Sequence, residues 1–161
     1  MIPFAPGIYL KDSTVRATNL SPEILSALVK MRGVFASLSL PLVITSGNDG
    51  GHVPGSKHYR DDAVDVRSIE IPHRNRREHV GKALAAATGA RLKLSRRPGR
   101  PPSQPVGVGR GLVLWVEEQP DSVPHFHLQM NRGPSVPAGG LAILALLGLG
   151  LAGLAVAFSK R

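Results

Sequence analysis

Four side chains in two distant segments carry the chemistry this chain can offer. The first segment, Ser46 to Arg67, reads SGNDGGHVPGSKHYRDDAVDVR, and the second, Pro124 to Gln129, reads PHFHLQ. Ala63 to Arg67 alternates as a strand, which places Ala63, Asp65 and Arg67 on one face and Val64 and Val66 on the other. With the valines toward a core, Asp65 faces a cleft. By the same alternation His125 and His127 share a face, opposite Phe126 and Leu128. If the two strands are close, His58, Asp65 and His127 converge. Two imidazoles and one carboxylate, with a fourth position for water, form a catalytic-type zinc site. Zinc there lowers the pKa of its water to about 7 and polarises a carbonyl. The competing reading is plain: a surface histidine beside a turn, and an aspartate paired with Arg67 or Arg60.

Those residues need elements to hold them. Ser21-Pro22-Glu23 starts a helix, with Ser21 as N-cap and Pro22 at the first helical position. Ile24, Leu25, Leu28, Val29 and Met31 continue it as an apolar stripe toward Phe35. Leu42–Thr45 and Ala63–Arg67 read as strands, Arg74–Thr88 as a helix ended by Gly89, and Arg91–Leu94 as a further strand. Leu112–Glu117 and His125–Met130 read as a hairpin with an irregular loop containing Pro120 and Pro124.

The chain has 161 residues, a formal net charge of +9 and no cysteine. The missing thiol excludes a disulfide framework, a cysteine nucleophile and sulfur-ligated zinc. Any metal must be held by histidine and carboxylate. Residues 71–110 hold ten Lys/Arg and one acid, Glu78, so this stretch alone carries the whole excess. Within it, Ser95 to Gly109 is Pro/Gly-rich and reads as a solvated loop, or as a surface for anionic wall polymers, lipid headgroups or nucleic acid. Only seven aromatic residues occur in the chain, too few for a base-stacking platform, which makes nucleic acid a minor alternative.

Gly139 to Phe158, GGLAILALLGLGLAGLAVAF, is twenty residues without a strongly polar side chain. As a helix it spans about 30 Å, the thickness of a bilayer's hydrocarbon core. The expected organisation is a body over 1–130, a linker over 131–138, a transmembrane helix over 139–158 and a basic tail over 159–161. No cationic start followed by an apolar run is visible at the N-terminus, so the expectation is a single-pass tail anchor. Lys160 and Arg161 mildly favour an inside C-terminus.

The pattern SxHxxxxAxD at Ser56, His58, Ala63 and Asp65, followed downstream by HxH at His125 and His127, resembles the D-alanyl-D-alanine metallopeptidase family. The family includes D,D-carboxypeptidases, D,D-dipeptidases and phage L-alanyl-D-glutamate endopeptidases. The stretch Thr45 to Arg67 is most similar to phage-type members, and the resemblance covers about Leu20 to Met130. It implies an α+β fold with a small antiparallel sheet flanked by helices. It also implies zinc on His58, Asp65 and His127, with Ser56 and His52 near the substrate, and hydrolysis of stem-peptide amides in peptidoglycan. A non-catalytic module of the same fold, binding the wall or a partner at the membrane, is the alternative.

Two positions depart from the family pattern. Asp61 stands where glycine is common. Pro124 stands three residues before the last histidine, where the family carries its acidic general base. Glu117, Glu118, Asp121 and His125 remain as replacements, with Glu118 and His125 ranked first.

Overall fold

Alternation is what builds the platform. The computed structural model describes residues 1–49, 51–52, 54–94, 110–118 and 123–132. Its strands are β1 (Ile2–Ala5), β2 (Ile8–Leu10), β3 (Leu42–Ser46), β4 (Ala63–Arg67), β5 (Arg91–Leu94), β6 (Gly111–Glu117) and β7 (His125–Asn131). Two α-helices, α1 (Pro22–Ser37) and α2 (Arg74–Thr88), and a short 3-10 helix, Lys57–Arg60, complete the described elements. The compact unit they form is Met1–Asn131.

The strands form one sheet in the order β1-β2-β3-β4-β7-β6-β5. Pairs β2–β3 and β5–β6 are parallel, and the remaining four are antiparallel. The expectation of a small antiparallel sheet flanked by helices is therefore corrected to a seven-stranded mixed sheet with two α-helices among the described residues. The cause lies at the two edges. Pro6-Gly7 turns Ile2–Leu10 into a hairpin, with Gly7 at φ +72°, and β2 then joins β3 in parallel across α1. These strands of four and three residues are too short to display a readable alternation.

Both helices cover the same face. Val64, Val66, Leu114, Val116, Phe126 and Leu128 join Ile24, Leu28, Met31 and Phe35 of α1 and Val80, Leu84 and Ala85 of α2 in one core. Burial of each large apolar side chain is worth about 1.5–3 kcal/mol. Phe35 meets Phe126 edge-on at 6.3 Å. At Gly81 the helix touches the sheet: a Cβ there would lie 2.6 Å from Val116 Cγ2. The stripe expected on α1 is buried at Ile24, Leu28, Met31 and Phe35, whereas Leu25 and Val29 point outward, and Ala27 takes a buried place. Ser21 is the N-cap residue, but its side chain makes no capping hydrogen bond.

The opposite face of the sheet is left for the polar residues of β4, β7 and β6. Among the described residues, no helix is long and apolar enough to cross a membrane. The expected linker from 133 onward, the span 139–158 and the basic tail lie outside the described residues, as does Asp121.

Candidate metal centre

Strand pairing puts Asp65 directly opposite His127, at the middle of the sheet. His58 arrives from the loop side. Ser56 ends that loop and accepts a hydrogen bond from the His58 amide at 3.3 Å, which starts the 3-10 turn Lys57–Arg60. Asp61 closes the turn with φ +57° and passes the chain into β4. Glycine adopts that conformation more freely than aspartate.

Three ligand atoms gather at one point. His58 Nε2 lies 3.3 Å from His127 Nδ1 and 3.5 Å from Asp65 Oδ1, and His127 Nδ1 lies 2.7 Å from Asp65 Oδ1. A tetrahedral ion with bonds of about 2.0–2.1 Å separates its ligands by about 3.4 Å. Two of the three edges already match. The third, at 2.7 Å, would have to open by about 0.7 Å to take an ion. The group His58, Asp65 and His127 can hold a metal ion.

The surrounding hydrogen bonds assign each imidazole its donor atom. His58 Nδ1 is 2.9 Å from the Gly47 carbonyl; a carbonyl only accepts, so Nδ1 carries the proton and Nε2 faces the site. His127 Nε2 donates to Gln129 Oε1 at 3.2 Å, leaving Nδ1 for the ion. Gln129 is itself fixed by donating to Asn131 Oδ1 at 2.6 Å. The Trp115 indole, buried on the same face, meets the His127 ring edge-on at 5.1 Å.

The Gly47 carbonyl is held from below. The Asn48 amide donates to the Arg16 carbonyl at 2.7 Å, and Asp49 accepts from the Gly47 amide and the Ser46 hydroxyl. A Cβ on Gly47 would lie 2.2 Å from the Arg16 oxygen, so only glycine fits. The SGND stretch is thus a cradle that aims one carbonyl at two imidazoles, His58 through Nδ1 and His52 through Nε2 at 3.1 Å.

In the metal-free protein the cluster is electrostatically tight. Burial alone would raise the Asp65 carboxyl, but hydrogen bonds from His127 and His58, and their charge, hold it far below the usual carboxylate range. Burial would lower His127, and the Asp65 hydrogen bond and charge instead push it up. His125 follows the same logic. Its burial penalty is outweighed by its hydrogen bond to Glu117 and by the charge of Asp65, which raise it to about 9.

The other expected residues fall in different places. His125 lines the centre: Nδ1 donates to the Val123 carbonyl at 3.0 Å, and Nε2 lies 3.4 Å from Glu117 Oε2 and 3.9 Å from Asp65 Oδ1. Glu118 does not join it. Glu117 pairs with His125 across β6–β7 on the site face, so the next residue turns the other way. Glu118 is ion-paired there with Arg77 and, at 3.9 Å, with Arg74 of α2. Among the described residues, the candidate base beside His125 is thus Glu117, which ranked behind Glu118 in the sequence. Ser56 caps the His58 turn. His52 stacks on the His58 ring, 3.9 Å away and 6° from parallel, and its Nε2 lies 3.0 Å from Ser46 Oγ. Burial and the neighbouring His58 lower the pKa of His52. His73 and His79 are exposed.

Gln129, Trp115 and the Gly47 carbonyl escaped the sequence reading. Gln129 was findable, since it follows His127 by two on the same strand face. Comparison of the chain with protein-family models, curated proteins and solved structures finds no match.

Proposed function

We propose that this chain is a zinc-dependent peptidase that hydrolyses stem-peptide amides of peptidoglycan. The observation that carries the proposal is the spacing of His58 Nε2, Asp65 Oδ1 and His127 Nδ1, close to the edges of a tetrahedron. Two imidazoles and one carboxylate with an open fourth position are the donor set of catalytic zinc. Bound there, zinc supplies Lewis acidity toward a carbonyl and lowers the pKa of a bound water to about 7.

The chain's own residues do the rest. Asp65 and the two histidines would hold the ion beside the cleft that Asp65 and His125 line. Glu117, on the site face beside His125, takes the water's proton and returns it to the leaving amine, the role that Pro124 cannot fill. His125, pinned through Nδ1, turns Nε2 toward the centre and donates to the charge that builds on the substrate carbonyl oxygen. The exposed cations Arg76 and Lys82 on α2 suit an anionic wall polymer, and an apolar tail over 139–158 suits work at a membrane.

Metal analysis and wall digestion test this together. The purified chain is expected to carry about one zinc and to release peptide fragments from peptidoglycan, identified by mass. His127→Ala is expected to lose both. Zinc without cleavage would refute the peptidase and leave a non-catalytic wall-binding module.

A further inference from the structure

A second group of donors stands beside the first. Glu117 of β6 and His125 of β7 lie directly opposite each other in the strand pairing. His125 Nδ1 donates to the Val123 carbonyl, which fixes the ring and leaves Nε2 3.4 Å from Glu117 Oε2 and 3.9 Å from Asp65 Oδ1. The side chains of His125, Glu117 and Asp65 are 18%, 13% and 16% exposed, enough for a small ion to reach them from solvent.

We propose that His125 and Glu117, with Asp65 as a shared carboxylate, form a second and weaker zinc site, and that filling it switches the peptidase off. The effect on turnover rests on the peptidase reading, whereas the binding site does not. Zinc bonds of about 2.0–2.2 Å separate tetrahedral ligands by about 3.4 Å. The Glu117–His125 edge already has that length, and the Asp65–His125 edge would have to close by about 0.5 Å to reach it. A carboxylate has an oxygen for each of two ions, and two-metal sites in enzymes hold their ions about 3.5–4 Å apart.

The same donors set the order of filling. The first centre has three ligands, His58, Asp65 and His127. The second has two of its own and a share in a carboxylate already bound, and it must take a cation beside a cation. His125 must also give up its Nε2 proton to ligate. The second ion is therefore expected to bind at least about a hundredfold more weakly than the first. Once coordinated, Glu117 no longer takes the proton of the water, and His125 no longer donates to the oxygen of the substrate carbonyl. Loading the first site activates, and loading the second stops turnover.

The test is equilibrium dialysis of the full chain in mild detergent against rising free zinc, with bound metal counted and wall hydrolysis followed in parallel. The wild type is expected to take up one zinc and then a second at much higher concentration, with hydrolysis falling as the second binds. His125→Gln and Glu117→Gln should each lose the second zinc and keep the first with its affinity unchanged, and melting in zinc checks that both are folded. His73→Gln with His79→Gln, which removes two exposed imidazoles at α2, should keep both ions. A second zinc lost in both site variants, in a protein that cleaves nothing, would sustain the site and remove the peptidase. A single zinc at every concentration, or a second that survives both His125→Gln and Glu117→Gln, would overturn the site and leave the peptidase standing. Hydrolysis undiminished while the second zinc is bound would overturn the switch.

Discussion

Replacing Gln129 by Met keeps the length of the side chain and removes the acceptor that fixes His127. In the native protein Gln129 Oε1 accepts from His127 Nε2 at 3.2 Å, while the Gln129 amide is tethered to Asn131 Oδ1. Both partners lie in the interior of the site, with Gln129 7% exposed. Loss of the acceptor leaves a buried N–H without a partner, a cost of about 1–3 kcal/mol. That cost falls mainly on the metal-bound state. In the metal-free protein the imidazole can still turn a proton toward Asp65, but with an ion on Nδ1 the remaining N–H has nowhere else to go. One to three kcal/mol corresponds to about 5–150-fold in affinity, the range in which outer-shell partners of metal-bound histidine usually fall. Competition against a chromogenic chelator gives the zinc Kd directly. Gln129→Met should weaken it by about 5–150-fold, and Gln129→Glu, which restores a stronger acceptor, should match or exceed the wild type. Thermal melting in chelator checks that the fold is kept. An unchanged Kd for Gln129→Met in a folded protein would show that His127 does not ligate through Nδ1, and the tautomer assignment would fall with it.

Glu117→Gln is expected to cut wall hydrolysis by about 10²–10⁴-fold with zinc content intact, whereas Glu118→Gln breaks the pairs with Arg77 and Arg74 and costs about 1 kcal/mol of stability, read as a small drop in Tm. Gly47→Ala drives a Cβ against the Arg16 carbonyl and should destabilise the protein by about 1–3 kcal/mol while weakening zinc, because the carbonyl that aims His58 must move. For the metal-free protein the pH dependence has two limbs. His125 is raised from 6.5 to about 9, so its contribution is complete below pH 6.5 and is lost as pH rises through 9; Asp65 is lowered from 3.8, so its contribution is present above that value and lost as pH falls. Melting in chelator should therefore be highest between about pH 4 and 6.5, and His125→Gln should flatten the alkaline limb; a wild-type Tm still climbing toward pH 9 would contradict the His125 assignment.

Much of the frame is written in local sequence patterns. The strand Ala63–Arg67 and the helix Arg74–Thr88, stopped by Gly89 at φ +73°, run as their patterns require, because alternation and a left-handed glycine are local signals. The hairpin of β6 and β7 likewise follows from two alternating runs with prolines between them. The first ten residues gave no such signal. Their two strands gain stability only by adding to β3, a contact that lies more than thirty residues away in the chain.

Residue types and spacing determined the chemistry on offer: no thiol, and two imidazoles and a carboxylate on faces that could meet. Tertiary structure decided which groups meet. Register across β4–β7 set Asp65 against His127, and register across β6–β7 brought Glu117 to His125 while Glu118 turned to the arginines of α2. A shift of one residue would have exchanged those two acids. The physical reason is that a strand's own sequence fixes only the alternation of its side chains. Which face is buried, and which neighbour lies opposite, is settled by the core that α1 and α2 close on the far side of the sheet.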